Sequence, residues 1–416
     1  MKILVVGQGG REHALVRATG AQFVFQGNAG LLTEAKLLKV ESASALDIAR
    51  AVQREGIDLV VIGPEADLVS GLSDELRRHN ISVFGPSQAA AQLEGSKIFS
   101  KEFMLEYKIP TARSFVVRTV DETLKAAENF APPYVLKADG LAAGKGVFIC
   151  KTLTDLRESA TSIFVNKSLG VAGSSALLEE FSPGEEVSVL VATNGTDYEI
   201  LPLSRDHKRL LDGDEGPNTG GMGVVGPIEL SASLKEQIAR DIVEPSIKGL
   251  HDRGFLYRGI LFIGIMLTDK GPSVLEYNVR FGDPETQVIL PMLDTDALSG
   301  GWAEVFATIA RGEWPKFKWN QKSVTCVVLA AEGYPDNPKK GVRITGEPLY
   351  KGDKGYILHA GTRLASDGEG VETNGGRVLN AIGVGANLKE SIANAYLVAE
   401  KANWPGRQMR RDIGQT

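Results

Sequence analysis

Lys137-Ala138-Asp139-Gly140-Leu141-Ala142-Ala143-Gly144-Lys145-Gly146 joins two short strand-like runs, Tyr134 to Ala138 and Gly146 to Cys150. One lysine closes the first run and the other lies in a glycine-rich loop before the second. Two ammonium groups converging on a triphosphate would neutralise the charge that builds up as a phosphoryl group moves. This is not a Walker A loop, which needs four residues between its glycines and Ser or Thr after the lysine. An exposed hairpin with solvated lysines is the bland alternative, and the density of glycine argues against it.

Upstream, strand and helix signals alternate. Ile3 to Val6, Phe23 to Phe25, Asp58 to Ile62 and Ile81 to Phe84 read as strands, with helices from near Arg11, from the Ser44 cap to Glu55 and from Leu68 to His79. Asp47, three residues after the cap, is placed to bind the free first-turn amides. Strands spaced by helices predict right-handed crossovers and a parallel sheet. Gly7-Gln8-Gly9-Gly10-Arg11-Glu12-His13 follows the first strand and opens a helix, where free amides suit an anion. As a dinucleotide fingerprint it fails, because Glu12 stands at the third glycine position. Gly27-Asn28-Ala29-Gly30 and Gly63-Pro64-Glu65 end neighbouring units and would line the same crevice. Taken singly, each is as well read as a plain turn.

Downstream, a helix from Lys97 to about Tyr107 leads into a strand-rich lobe. Glu276-Tyr277-Asn278-Val279-Arg280 ends one of its strands, and a period of two turns Glu276, Asn278 and Arg280 the same way. A carboxylate beside an amide oxygen suits Mg²⁺, and the arginine suits a carboxylate or phosphate. An amphipathic surface strand would look similar. Asp206-His207-Lys208-Arg209 and Gly216-Pro217-Asn218-Thr219-Gly220-Gly221-Met222-Gly223 together suggest a mobile cover over an anionic substrate, or else a charged surface loop. Gly312 to Asn320 reads as a linker, Thr373-Asn374-Gly375-Gly376-Arg377 as a tight hairpin turn, and Asn387 with Glu390 as the cap of a last helix.

The chain has 416 residues, 43% hydrophobic and 24% charged, as a soluble globular protein does, and its length suggests about two to four units. Cys150 and Cys326 are its only cysteines, which excludes a disulfide framework and suggests a reducing compartment. The longest apolar stretch, Gly259 to Leu267, is far short of the roughly 20 residues that span a bilayer. A net charge of −6 speaks against nucleic acid as a partner. The expectation is a cytoplasmic protein with small-molecule substrates and no membrane. No Ser-His-Asp or Cys-His constellation and no metal-type histidine spacing can be assembled.

Together these pieces resemble the ATP-grasp superfamily, and within it the glycinamide ribonucleotide synthetase family. The resemblance extends over Gln92-Leu93-Glu94-Gly95-Ser96-Lys97, the two-lysine loop, the Gly216 to Gly223 stretch, Arg280-Phe281-Gly282-Asp283-Pro284-Glu285-Thr286-Gln287 and His359-Ala360-Gly361-Thr362. It implies an α/β and α+β architecture: a Rossmann-like parallel sheet in 1–96, a two-lobed ATP-grasp core in 97–313 with a small lobe at about 114–187, and a mostly β unit in 314–416. It further implies a monomer that uses ATP with Mg²⁺ or Mn²⁺ to join glycine to 5-phosphoribosylamine through glycyl phosphate. By position, Lys97, Lys137 and Lys145 would contact ATP phosphates, Glu179, Glu180 and Phe181 the adenine, and Glu186 the ribose. Glu276 and Asn278 would hold the metal, with Arg280 and Lys145 serving the chemistry. Gly9, Gly10, Arg11, Glu12, Asn28, Gly30, Pro64, Glu65, Asp206, Lys208, Gly220, Gly221, Arg280 and Asp283 would shape the glycine and amine sites. Two departures stand out: Gly264 where many superfamily members carry an acidic ligand, and a short segment between Ala18 and Gly27. Another carboxylate–amine ligase and a non-catalytic adenine-nucleotide sensor are the rival readings; the sensor is disfavoured because the Glu276 strand and Arg280 are present.

Overall fold

The computed structural model describes residues 1–142 and 146–415, with Val171 described by its backbone alone. Five short strands form a parallel sheet in the order Lys36–Leu37, Phe23–Phe25, Ile3–Val6, Leu59–Ile62, Ser82–Phe84. Strand order reverses at the first strand, so the loops after Val6 and Ile62 open a crevice at one end of the sheet. The short Ala18 to Gly27 segment still supplies a paired strand, with Leu4 opposite Phe23 and Val6 opposite Phe25. The expected helix from Leu68 to His79 is two helices, Glu65–Val69 and Leu72–Arg78, because Gly71 takes a left-handed φ of 91° between them. Ser44 caps the Ala45–Glu55 helix as expected, but the Asp47 carboxylate accepts from the Ser42 and Ser44 hydroxyls rather than from free amides.

The small lobe is an antiparallel sheet ordered Ser114–Val117, Ala176–Glu180, Tyr134–Ala138, Val147–Cys150. Two helices without an assignment in the sequence reading, Val120–Ala127 and Leu153–Phe164, share its core, leaving Phe115, Val147 and Ile149 exposed. A larger antiparallel sheet, Tyr198–Ile200, Glu185–Thr193, Gly259–Thr268, Gly271–Asn278, shares one apolar core with the first sheet; Val6, Val60, Val187, Ile263 and Tyr277 all belong to it.

A six-stranded sheet runs Arg205–Asp206, Gly223–Gly226, Ser323–Ala330, Arg377–Gly385, Gly355–His359, Lys351–Gly352. Its first two strands lie upstream of residue 313, so this sheet interleaves with the preceding unit. Gly312 to Asn320 is a packed strap, with Trp314, Phe317 and Trp319 against a buried core and the Trp319 ring 6.1 Å from Trp302. Asn374-Gly375 does not make the expected hairpin: Val371–Thr373 and Arg377–Gly385 belong to different sheets. Neither Gly375 nor Gly376 has the positive φ that a type I′ turn requires. Among the described residues no helix is long and apolar enough to cross a membrane.

The first and last units are clasped by two buried histidines. His13 Nδ1 accepts the His359 backbone N–H at 2.8 Å, and the Asn28 side chain donates to the His359 carbonyl at 2.9 Å. The clasp needs glycine at 30, where a Cβ would sit 2.5 Å from His359 Cγ and 2.6 Å from His13 Cε1. His359 Nε2 donates to the Pro348 carbonyl at 2.8 Å while Nδ1 accepts from Thr362, a neutral ring. Burial, with His13 beside it, pushes His359 down to about 4. The unfolded ring titrates near ~6.5, so between those values the unfolded chain binds the extra proton and stability falls as pH falls. Denaturant titrations at pH 7 and 5 should show a loss of roughly 1–2 kcal/mol from this ring. His359→Gln, which keeps a donor toward Pro348, should flatten that dependence; an unchanged slope would remove His359 from the account.

Candidate functional site

Glu276, Asn278 and Arg280 share one face of the Gly271–Asn278 strand and its continuation, and the strand is bulged at Leu275. Ile265 pairs with Val274 and Gly264 with Glu276, leaving Leu275 without a partner. The bulge frees the Leu275 carbonyl, which accepts from Lys137 Nζ at 2.9 Å. Gly264 thus faces Glu276 directly, and no second carboxylate can come from that position. Burial pushes the Glu276 carboxyl up, but Lys208, Lys137, Lys97 and Arg280 outweigh it and hold it below its usual range. Four cations from separate parts of the chain therefore surround one ionised carboxylate.

Arg280 is held from three sides. Its Nη2 reaches Glu94 Oε1 at 2.8 Å and Asn278 Oδ1 at 3.0 Å, and its Nε lies 3.3 Å from Glu65 Oε2. Glu94 also accepts the Val279 N–H at 2.8 Å. Burial works against the Arg280 charge, but Glu94 and Glu65 keep it firmly protonated. Glu94 has no role legible in the sequence, because nothing local signals that a helix-terminal glutamate will face an arginine 186 residues away.

In the small lobe, Glu179 lies between Lys137 Nζ at 2.7 Å and Lys101 Nζ at 2.9 Å, all three nearly buried. Lys101 went unassigned in the sequence, the second of two lysines on the Lys97–Glu106 helix. Asp139 anchors the start of the glycine loop by accepting from Ser96 Oγ at 2.9 Å and the Ile98 N–H at 3.2 Å, and Lys97 Nζ lies 3.5 Å from the Gly140 carbonyl. Glu180 pairs with Arg113 at 3.0 Å, and Phe181 is partly exposed. Lys145, with Ala143 and Gly144, lies outside the described residues.

Lys208 Nζ donates to Glu186 at 2.5 Å; burial opposes its charge, but Glu186, Asp206 and Glu276 raise its pKa. Burial and Glu285 push Asp206 well above the usual carboxylate range. Gly221 has a φ of 110°, and a Cβ there would sit 2.7 Å from Asp206 Oδ1. Arg377 Nη1 donates to the Gly220 carbonyl at 2.5 Å and the Asp283 carbonyl at 2.6 Å, and the Tyr334 hydroxyl accepts from the Gly220 N–H at 3.0 Å. Arg377 and Tyr334 bring the last unit to the site; in the sequence Arg377 reads only as the end of a hairpin signal and Tyr334 carries no signal.

At the first sheet's crevice, Glu12 fills the space a dinucleotide phosphate would need. Its carboxylate accepts the Gly9 N–H and Arg11 Nε, both at 2.6 Å, and a Cβ on Gly63 would collide with it. Arg11 also donates to the Phe281 carbonyl at 3.0 Å. Asn28 spends its amide on Gln8, His359 and Leu31. Gly9 borders Asp283, Gly10 packs against Asn380 and Gln287, and Pro64 lies against Gly7. Among the described residues no three His, Cys, Asp or Glu side chains form a metal site. The carboxylate of Glu276 and the amide oxygen of Asn278, on one face of the same strand, are hard donors of the kind that suits Mg²⁺.

Models of the phosphoribosylglycinamide synthetase N, ATP-grasp (A) and C domains match residues 1–94, 95–286 and 324–416. Phosphoribosylamine–glycine ligase of Mesorhizobium japonicum is 42% identical, covering 100% of this chain and 98% of its own. The ligase of Vibrio cholerae is 39% identical over 100% and 98%. The crystal structure of phosphoribosylamine–glycine ligase from Thermotoga maritima superposes with a TM-score of 0.85 at 36% identity, covering 99% of this chain and all of that one. The chain belongs to the phosphoribosylglycinamide synthetase family. The fold is shared more widely: biotin carboxylase from Campylobacter jejuni superposes with a TM-score of 0.73 at 15% identity, covering 98% of this chain and 93% of that one. The family's ATP-grasp segment thus contains the Lys137 and Glu276 strands, with Glu94 reaching in from the end of the N-domain segment and Arg377 from the C-domain segment.

Glu94→Gln keeps an acceptor for Val279 but removes the charge facing Arg280. It should lower kcat by roughly 10–100-fold, as loss of outer support for a ligand set commonly does, with circular dichroism unchanged. Activity at the wild-type level would show that Arg280 needs no such orientation.

Proposed function

We propose that the chain couples ATP cleavage to ligation of glycine with 5-phosphoribosylamine, giving glycinamide ribonucleotide, ADP and phosphate. The observation that carries this reading is the convergence of cations from separate parts of the chain on the Glu276 strand, with Lys137 Nζ 2.9 Å from the Leu275 carbonyl and Arg280 Nη2 3.0 Å from Asn278 Oδ1. Such an arrangement holds cationic charge fixed before a phosphoryl group arrives, so little reorganisation remains when charge develops on it. Lys97 and Lys137, with Lys145, would contact the phosphates; the Glu179-Glu180-Phe181 segment would border the adenine and Glu186 the ribose. Glu276 and Asn278 would hold Mg²⁺ or Mn²⁺, which when bound supplies charge neutralisation at the phosphate oxygens.

The glycine carboxylate attacks the γ-phosphorus, the bond to the bridging oxygen breaks, and ADP leaves. Arg280 holds the acyl phosphate or the carboxylate that forms it. The sugar amine then attacks the acyl carbon, phosphate leaves with the bonding pair, and the nitrogen gives up a proton as the amide forms. Gly9, Gly10, Gly30, Pro64, Glu65, Asp206, Lys208, Gly220, Gly221 and Asp283 would border the two small substrates, with Arg11, Glu12 and Asn28 shaping the loops beneath them. All these groups come from one chain, which supports a monomer as the working unit, and two buried free cysteines fit a reducing cytoplasm.

Phosphate release should be strong only for glycine with phosphoribosylamine among candidate acid and amine pairs. Oxygen-18 in the glycine carboxylate should appear in the released phosphate; unlabelled phosphate would rule out the acyl phosphate. Glu276→Ala should abolish turnover and its dependence on added Mg²⁺ in a folded protein, and full activity would contradict the metal role.

A further inference from the structure

The Arg209–Leu211 and Glu215–Asn218 strands form a small hairpin of their own, starting one residue after Lys208. Its tip is not free. Arg410, wholly buried, places Nη1 2.6 Å from Asp214 Oδ1, while its Nε and Nη2 each lie 2.7 Å from the Asp412 carboxylate. The same carboxylate accepts the Gly213 N–H at 2.8 Å, and the Arg411 N–H donates to Asp212 at 2.7 Å. At the base, His207 Nδ1 donates to the Gly223 carbonyl at 3.1 Å, which leaves Nε2 to accept the Gly414 N–H, also at 3.1 Å. Ile413 is fully buried against Gly223, and its N–H donates to the Tyr396 hydroxyl at 3.0 Å. Segment 410–414 therefore grips both ends of the stretch that carries Asp206 and Lys208, although it contributes no side chain to the cleft.

We propose that Arg410, through its pairing with Asp214, is a positioning residue that holds the 209–218 hairpin down and so keeps Lys208 and Asp206 in register with the substrate cleft. The bidentate link to Asp412 pre-organises the guanidinium, so the remaining donor meets Asp214 in one geometry. A buried arginine so paired is costly to build, and its return here is a fixed hairpin rather than a better core. The consequence for turnover rests on the ligase reading above; the grip itself does not.

Asp214→Asn separates the two questions, because its side chain is more than half exposed and its loss leaves Arg410 still paired with Asp412. Hydrogen exchange should quicken about tenfold at the amides of 209–218, the scale expected for losing a charge-assisted hydrogen bond, with other regions unchanged. The KM for the amine should rise about three- to tenfold with kcat within about twofold of wild type. Arg410→Lys, which keeps a cation against Asp214, should fall between Asp214→Asn and wild type, and Arg410→Met should exceed both. Unchanged exchange in the hairpin, or a lowered melting temperature with unchanged KM, would overturn the proposal. If the wild-type chain shows no ligation, the reaction assignment fails, while the exchange measurement still decides the grip.

Discussion

The Gly271–Asn278 strand has to satisfy two demands that a regular pleat cannot meet together. Val274, Tyr277 and Val279 all belong to the core shared with the parallel sheet. Val274 and Tyr277 are separated by an odd number of positions, so strict alternation would send one of them outward. The extra residue at Leu275 restores the alternation and turns Glu276, Asn278 and Arg280 together to the opposite face. The same bulge leaves a carbonyl unused by the ladder, and Lys137 takes it. One local irregularity thus sets which side chains face the cleft and fastens the small lobe to the large one.

Charges in the cleft arrive already paired. Lys137 and Lys101 share Glu179, Arg280 shares Glu94 and Glu65, Lys208 meets Glu186, and Arg377 meets Asp283. Buried pairs of this kind add little net stability, because desolvation consumes most of the Coulomb gain. They do fix geometry. An unpartnered lysine beside an apolar strand would relax toward solvent or lose its proton; with a carboxylate behind it, it stays charged and aimed. A polyanion entering such a cleft meets cations whose orientation is set before binding, which is the condition under which electrostatic stabilisation of a transferring phosphoryl group is largest.

The elements that border the candidate site were legible because their signals are local. The Lys137 strand and its glycine loop, the Glu276-x-Asn-x-Arg280 alternation and the strand–Gly–helix opening at Gly7 to Gly10 are each short runs whose residue types state their own geometry. Partners remote in sequence were not. Glu94, Lys101, Arg377, Tyr334 and Arg410 look like ordinary surface residues until the fold places them. Local signals also misled where tertiary packing overrode them. Asn374-Gly375 reads as a hairpin turn, but its flanking strands enter different sheets, and Gly375 lies against the backbone of Gly361 instead. The Trp314 to Trp319 strap has a linker's proline, Pro315, and lysines, Lys316 and Lys318, yet its aromatic rings are packed into a core.

The interleaving of units explains why so many distant groups reach one place. A six-stranded sheet built mainly from the last hundred residues takes its edge from Gly223–Gly226 and Arg205–Asp206. That edge delivers Asp206, and with it Lys208, directly opposite the Glu276 strand's territory, while Arg377 on the same sheet holds Gly220 and Asp283. The clasp of His13 with His359 ties that sheet to the Gly10–Thr19 helix, which follows the loop after the first strand. The small sheet around Tyr134–Ala138 is tied to the rest through Lys137 to the Leu275 carbonyl, Asp139 to Ser96 and the Ile98 N–H, and Lys101 to the Ala112 carbonyl and Glu179. The Lys137 tie lands on the residue next to Glu276, so the contact that fastens this lobe is also part of the candidate site.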